Sequence, residues 1–329
     1  MTTSRRGFLG ATGLLALSGL LSACGGGSGA ATGTAWEFTD DRGAKAGRPA
    51  RPQKIVAQIT AAAALWDLGI RPVGVFGPQK RPDGSAEVMV GNIDLAATQS
   101  LGTTFGELNL DKYATLRPDL MVTVLYGDQL WYVPKESTPT IETLSPVVGI
   151  RQDGRSVRAS IEAYITLAEA LGADIRTPAI TGAKAAFDKA ATRLSESAKA
   201  KPGLKVLAVS ATKDKLYIAT PAYHGDLRLF RELGVDVVAP AAPDPAFEAL
   251  SWEQAERYQA DVILVDSRAA TAIPRSELNA IPTWSRHPAV RAGQVHEWAA
   301  ETPCSYQRFA PVLTALADVL DKSRADVVA

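Results

Sequence analysis

The chain has 329 residues, 46% hydrophobic and 21% charged, and its 35 basic side chains balance its 35 acidic ones. That is a globular composition long enough for two domains, and it supplies no global field that would favour a nucleic acid as partner. With two cysteines, three histidines and no CxxC or His-rich tract, neither a disulfide framework nor a dense metal site is indicated.

The first residues read as a targeting segment. Ser4-Arg5-Arg6-Gly7-Phe8-Leu9 precedes an apolar run from Leu9 to Leu21, which ends in Leu21-Ser22-Ala23-Cys24. A charged start, a short apolar stretch and small residues before a cut describe a signal peptide over 1–23, too short for a membrane span. The run resembles a lipoprotein signal, which implies lipid on the Cys24 thiol and anchoring on the extracytoplasmic face of the cell membrane. The double arginine also resembles a twin-arginine export signal, although Gly10 stands where that signal usually carries lysine. The Gly/Ser/Ala/Thr-rich segment 24–35 is a flexible tether. With Cys24 modified, Cys304 has no partner and reads as a small buried apolar residue.

An N-terminal α/β lobe is expected over 36–176. Lys54 to Gln58 is β-prone, Ala61 to Leu68 helical with Gly69 as left-handed cap, and Val73 to Phe76 the next strand. Strand, helix, glycine, strand is a βαβ unit and implies a parallel sheet. The Pro/Gly/charged loop Gly77 to Gly84 and the aromatic run Tyr126 to Tyr132 each follow a strand directly, at the sheet edge where open α/β sheets bind ligands. Asn109 caps a helix to Leu116, Leu120 to Leu125 is a strand, Val147 to Ile150 another, and Ser156 to Leu171 an amphipathic helix ended by Gly172.

A connecting helix is expected over 177–201. Thr177-Pro178 is an N-cap followed by proline at the first helical position. Ile180, Ala183, Phe187, Ala190 and Leu194 then mark one helical face, and Lys201-Pro202-Gly203 stops it. At ~1.5 Å per residue the helix is roughly 33 Å long, enough for a strut between two lobes.

The C-terminal lobe, 202–329, is expected to repeat the first: strands at Lys205 to Ser210, Leu216 to Ala219, Asp236 to Val238 and Val262 to Asp266, helices at Asp226 to Leu233 and Ser251 to Tyr258, and a last amphipathic helix from Ser305 to Leu320. An internal echo supports this. Leu108-Asn109-Leu110-Asp111 and Leu250-Ser251-Trp252-Glu253 share a pattern, as do Asp119-Leu120-Met121-Val122 and Asp261-Val262-Ile263-Leu264 at the same offset. Asp111 and Glu253 then sit in helix first turns, where they favour the helix dipole and are placed to meet a partner's arginine.

From Trp36 to Leu320 the chain resembles the periplasmic-binding-protein family that serves iron-siderophore and cobalamin ABC importers. The matching pieces are Thr39-Asp40-Asp41-Arg42-Gly43, Ala64-Leu65-Trp66-Asp67-Leu68-Gly69-Ile70, Asn109 through Leu120, and Trp284 with Ala289-Val290-Arg291-Ala292-Gly293-Gln294-Val295. The resemblance implies two Rossmann-like lobes with parallel sheets joined by one long helix, a ligand between them and little hinge motion. It also implies one acidic residue per lobe for permease docking, here Asp111 and Glu253. Relatives usually carry glutamate at both, and Asp111 is one methylene shorter.

A ferric siderophore is bulky, often anionic and partly aromatic, so cationic and aromatic side chains at strand ends suit it. The candidates are Lys80, Arg81, Tyr126, Trp131, Tyr132, Tyr223, His224, Arg228, Trp284, Arg286 and Trp298, with core packing the competing account of each Trp and Tyr. Trp66, on an Ala-rich face, reads as core. The expected protein is a monomeric, lipid-anchored, non-enzymatic receptor that delivers a ferric siderophore to an ABC permease and its ATPase subunits. No cofactor is expected, since iron enters only within the chelate. Haem or cobalamin binding is an alternative within the family. A zinc or manganese site would draw on His224, His287 and His296, of which the last two flank a strand without needing to converge. An exported enzyme is the alternative from another class, but no GxSxG, HExxH or strand-to-helix GxGxxG appears.

Overall fold

In the computed structural model, which describes residues 35–241, 245–269 and 272–328, the apolar runs form two six-stranded sheets. The signal peptide, Cys24 and the tether up to residue 34 lie outside the described residues. No helix among the described residues is long and apolar enough to cross a membrane.

The first sheet runs Gln99–Ser100, Gly74–Phe76, Ile55–Gln58, Leu120–Tyr126, and both Val147–Arg151 and Gln129–Leu130 pair with Leu120–Tyr126. All pairings are parallel except the hairpin between Leu120–Tyr126 and Gln129–Leu130. Leu120 to Leu125 are buried without alternation, as expected of a parallel strand covered on both faces. Ile55–Gln58 passes into helix Ile59–Asp67 with no intervening residue. The Gln58 side chain makes this turn possible by accepting from the Thr60 and Ala61 amides at 2.8 and 3.2 Å. Gly69 closes the helix at φ +89°, as its position predicts. Trp66 packs against the core from its edge, half-buried, with the Arg71 guanidinium 4.3 Å above its ring.

Every strand before helix Pro178–Ala200 joins the first sheet or a small N-terminal hairpin, and every strand after it joins the second. The helix is therefore the passage between the sheets. Thr177 Oγ1 accepts from the Ile180 amide at 3.4 Å. Its buried face, Phe187, Ala190, Ala191, Leu194, Ser197 and Ala198, falls in the C-terminal two-thirds. There it packs on the last helix, Tyr306–Lys322, through Phe309, Leu313, Leu316, Ala317 and Leu320. Arg193 ties the pair by reaching Asp318 and, at 3.2 Å, Asp321. The strut is thus two helices thick.

The second sheet runs Phe247–Ser251, Lys215–Ala219, Lys205–Ala211, Val262–Asp266, Val295–Trp298, with Asp236–Val237 beside Lys205–Ala211. It is not a copy of the first. Lys215–Ala219 is antiparallel to both Lys205–Ala211 and Phe247–Ser251. The expected helix from Ser251 to Tyr258 is a strand end followed by a single 3-10 turn, Trp252–Gln254. The helix half of the echo holds only on its first side, where Asn109 Oδ1 caps Leu110–Leu116 by accepting from the Lys112 amide at 2.9 Å, while the Asp-led strand holds on both: Asp119 and Asp261 precede Leu120–Tyr126 and Val262–Asp266 and accept from the Lys54 and Lys205 amides at 2.9 and 2.8 Å.

Alternation in the second sheet divides its packing. Val206, Ala208, Val262 and Leu264 join the hydrophobic core that runs through both long helices into the first sheet. Leu207, Val209, Ile263 and Val265 form a separate outer cluster with Trp284. A core continuous across both sheets makes the described chain one compact unit.

Candidate ligand cleft

Strand Leu120–Tyr126 delivers Tyr126 to the carboxyl edge of the first sheet, and Gly127 turns the chain at φ +59°. The returning strand sets Trp131 against Tyr126 at 4.7 Å between ring centroids. Tyr132 follows at φ +63°, a costly conformation for a bulky residue. Its ring is held by Trp131 at 5.9 Å and Phe105 at 5.3 Å. Phe105, half exposed at 51%, also meets Trp131 edge-on at 5.0 Å.

From the second sheet's side Tyr223 stacks on Tyr126, with centroids 6.0 Å apart and planes 14° off parallel. His224 follows, 4.8 Å from Phe247 and 5.2 Å from Trp298, with Nε2 3.0 Å from the Ala246 carbonyl oxygen. Burial pulls the imidazole's pKa below its usual value, against the pull of Asp226, and so favours the uncharged ring. Trp298 lies behind it and donates to Asp226 Oδ2 at 2.6 Å. An aromatic ladder from Phe105 to Phe247 thus crosses between the sheets and walls a cavity of about 430 Å³.

The floor is ionic. Asp266 ends strand Val262–Asp266, and Arg268, two residues on, donates back to it from Nη2 at 2.7 Å and Nε at 3.0 Å. Arg268 Nη1 also donates to Glu301 Oε1 at 2.7 Å. Glu301 holds φ +59° just after strand Val295–Trp298. Burial alone would lower the guanidinium's pKa, but Glu301 and Asp266 hold it well above its usual value. Burial raises the Glu301 carboxyl against the pull of Arg268, because the one guanidinium is already held two-pronged by Asp266. Cys304 also lines the cleft. Burial pushes its thiol up to about 12, and Sγ donates to Gln152 Oε1 at 2.9 Å, so the sulfur is no nucleophile at neutral pH.

Of the eleven expected ligand residues, Tyr126, Trp131, Tyr223 and His224 line this cavity, and Tyr132 and Trp298 pack directly behind it. The others lie elsewhere. Lys80 is exposed on a one-bridge turn with Ala86. Arg81, its Nε 3.7 Å from Glu87 Oε2, lines an adjoining recess of about 710 Å³ that shares Arg268 with the cleft. Arg228 turns back to the Ala222 carbonyl at 2.9 Å. Arg286 pairs with Glu256 at 2.7 Å on the surface. Trp284, 1% exposed, belongs to the outer core cluster because it sits on a short helix, Pro282–Arg286, packed on the sheet, and not at a strand end. Asp111 and Glu253 are both exposed, but Glu253 sits in the 3-10 turn and gains no helix dipole. Among the described residues no three His, Cys, Asp or Glu side chains stand at metal-holding geometry.

Sequence reasoning missed Asp226, Arg268, Glu301, Phe105 and Phe247. The signal for one was present. Asp266-Ser267-Arg268 follows an apolar parallel strand directly, at the edge where ligands bind.

Comparison with known proteins agrees with this layout. The family model for periplasmic binding proteins matches residues 68–302. The crystal structure of DesE, a ferric-siderophore receptor protein from Streptomyces coelicolor, is 40% identical, covers 88% of this chain and 99% of its own, and superposes with a TM-score of 0.83. The petrobactin-binding protein YclQ from Bacillus subtilis is 17% identical over 88% of this chain and 99% of its own, with a TM-score of 0.65. FeuA from Bacillus subtilis, a triscatecholate siderophore binding protein complexed with ferri-bacillibactin, is 18% identical over 82% and 93%, with a TM-score of 0.60. At such identities the last two speak for the fold alone. A comparison with curated proteins finds no match. A family model spanning more than half the chain, on a fold of two sheets joined through one long helix, establishes that the chain belongs to the periplasmic binding protein family.

Proposed function

We propose that this protein is the substrate-binding receptor of an ABC importer and captures a ferric siderophore in the cleft between its two sheets. The observation that carries this reading is the aromatic wall built jointly by both halves of the chain, Tyr126 from one and Tyr223 from the other. A ligand entering there meets ring faces and edges for a chelate's apolar surface and phenol and indole donors for its oxygens. The 40% identity to DesE along 99% of that receptor supports the same ligand class here. The mechanism is capture, retention and hand-over, with no bond made or broken.

The remaining parts of the reading rest on the sequence. Cys24 is proposed as the lipid-bearing residue that follows a cleaved leader with twin-arginine character, holding the receptor on the outer face of the membrane. Asp111 and Glu253, exposed and one in each half, are proposed to dock on permease arginines, with the receptor acting as a monomer.

The test is tryptophan-fluorescence titration with ferric hydroxamates, ferric catecholates, ferric citrate, haem, cobalamin, and free zinc and manganese. Saturable sub-micromolar quenching by a ferric chelate, absent with the iron-free chelator, is the expected result. A response confined to haem, cobalamin or a free metal ion would replace the siderophore with that ligand, and silence throughout would overturn the receptor reading.

A further inference from the structure

At the amino edge of the first sheet, away from the cleft, the surface carries a recess of about 460 Å³ lined by Arg48, Lys54 and Arg117. Lys54 leads into strand Ile55–Gln58, and Arg117 ends helix Leu110–Leu116 shortly before strand Leu120–Tyr126. Among the described residues that line the recess Asp119 is the one carboxylate, and it is already engaged. Its Oδ2 accepts from the Gln53 and Lys54 amides at 3.0 and 2.9 Å, and its Oδ1 accepts from the Arg48 guanidinium at 3.3 Å. Lys54 Nζ and the Arg117 guanidinium have no ion pair among the described residues. Arg117 is held at φ +48°, in the left-handed region where glycine or asparagine would sit at less cost. Leu144 lines the same recess and is 41% exposed, which sets an apolar side chain in the open beside the cations. The chain also enters the fold here. Trp36 begins the first strand as the register partner of Arg48, and twelve residues on from Cys24 it lies within at most roughly 40 Å of extended chain.

We infer that this recess seats the phosphate headgroups of an anionic phospholipid surface, so that the amino edge of the first sheet lies on the membrane. Guanidinium and ammonium groups around a committed carboxylate attract phosphate, and an exposed leucine among them can enter the headgroup layer. That combination suits an interface better than a small free anion. The chain's charges balance overall, so the attraction is local to this edge. Contact here leaves the cleft clear, because strand Leu120–Tyr126 runs from this edge to Tyr126, about 20 Å away. Helix Leu110–Leu116 likewise separates the recess from the proposed docking carboxylate, with Arg117 just past its last residue and Asp111 in its first turn. The inference takes its setting from the lipid proposed at Cys24 and is independent of which ligand the cleft holds.

The test is co-sedimentation with vesicles of phosphatidylcholine alone and of phosphatidylcholine mixed with phosphatidylglycerol. The chain from Thr34 onward serves as the probe protein, since it forms a compact unit by itself and lacks both leader and Cys24. It is expected to partition at least ~10-fold more strongly onto the anionic vesicles, and added salt to remove most of that difference. Lys54→Gln combined with Arg117→Gln is expected to lower anionic binding by ~10-fold or more, to the level of the neutral vesicles. Lys189→Gln combined with Lys199→Gln, which removes the same charge from exposed positions on the long helix, is expected to change nothing. Equal partitioning onto both vesicle types, or a Lys54/Arg117 variant bound as tightly as the native chain, would overturn the inference. So would saturable binding of inorganic phosphate without vesicle binding, which would hand the recess to a small anion. Cys24→Ser in the full chain separates the lipid reading from this one. Shedding of that variant from cells, with no vesicle binding by the recess, would keep the lipid and remove the headgroup site. Vesicle binding by the recess, with Cys24→Ser still fully retained on cells, would do the reverse.

Discussion

An indole N–H with nowhere to donate is costly to bury, about 1–3 kcal/mol. Trp131 Nε1 is such a group, enclosed in the cleft wall with no acceptor among the described residues. A ligand oxygen that accepted its hydrogen would relieve that cost on binding, so two substitutions separate the ring's contributions. Trp131→Phe keeps an aromatic plane against Tyr126 and Phe105 and removes the donor. It is expected to leave stability unchanged or raised and to weaken ferric-chelate binding severalfold. Trp131→Ala also removes the stack and is expected to weaken binding by ~10-fold or more. Affinities equal to wild type in both would place the ligand away from this wall. A second residue-level prediction concerns acid. His287 Nε2 donates to the Tyr258 carbonyl at 3.0 Å, while Nδ1 accepts from the Ala289 amide at 3.3 Å, so the ring must be neutral. Burial accordingly lowers its pKa below the usual 6.5, as it does for His224 and His296. The unfolded chain takes up these protons first as pH falls, so stability is full above the ordinary histidine value and lost below it. Melting temperature is expected to drop steadily from about pH 6.5 towards pH 5, and His287→Asn, which still caps Pro288–Arg291, to shallow that slope. An unchanged slope in the variant would assign the acid sensitivity to other groups.

At the scale of elements, the cleft owes its shape to one seam. The loop after strand Val147–Arg151 meets both ends of helix Gly225–Glu232: the Gly154 amide donates to the Tyr223 carbonyl, just before the helix, at 3.0 Å, and Ser156 Oγ donates to Glu232 Oε2, at its last residue, at 2.7 Å. Gly225 is glycine for a steric reason, since a Cβ there would stand 2.9 Å from the Arg155 carbonyl oxygen, a backbone atom with no easy retreat. Gly225→Ala is expected to pry the seam apart, cost ~1–3 kcal/mol in stability and weaken ligand binding together, because Tyr223 and His224 immediately precede it. A stable variant with lowered affinity would still fit the seam's role, whereas wild-type stability and affinity together would sink it. Little of this seam was legible in the sequence. Local signals were read well: Thr177-Pro178, Asn109 and Gly69 start and stop helices through atoms within four residues of themselves. Ser156 marks a helix start correctly, yet its hydroxyl serves Glu232 instead of its own helix. The echo at Ser251 failed for a related reason, because pairing with Lys215–Ala219 holds Phe247–Ser251 extended and leaves room for only a 3-10 turn. Arg268 and Glu301 meet across 33 residues of chain, and no period or spacing announces such a pair.

For the whole molecule, the core shared by both sheets through two packed helices favours a fixed surface over a large lobe movement as what the proposed permease partner would meet. Asp111, on helix Leu110–Leu116, and Glu253, on the turn Trp252–Gln254, are exposed carboxylates that each half of the chain can offer to a partner. Neither lines the cleft. Solvent and salt screen exposed charges beyond about 8 Å, so removing one leaves the ligand's environment unchanged. Glu253→Ala and Asp111→Ala are therefore expected to hold ferric-chelate affinity within about twofold while lowering uptake in cells. Glu253→Arg is expected to lower uptake further, because it would set like charge against the arginines proposed on the permease. The shorter side chain of Asp111 reaches less far towards a partner, so its removal is expected to cost less than that of Glu253, and Asp111→Glu to retain uptake or improve it. The decisive comparison is titration and radiolabelled-iron uptake on the same variants. Affinity falling in step with uptake would move both residues from docking to binding, and unimpaired uptake in the double variant would remove them from the permease interface altogether.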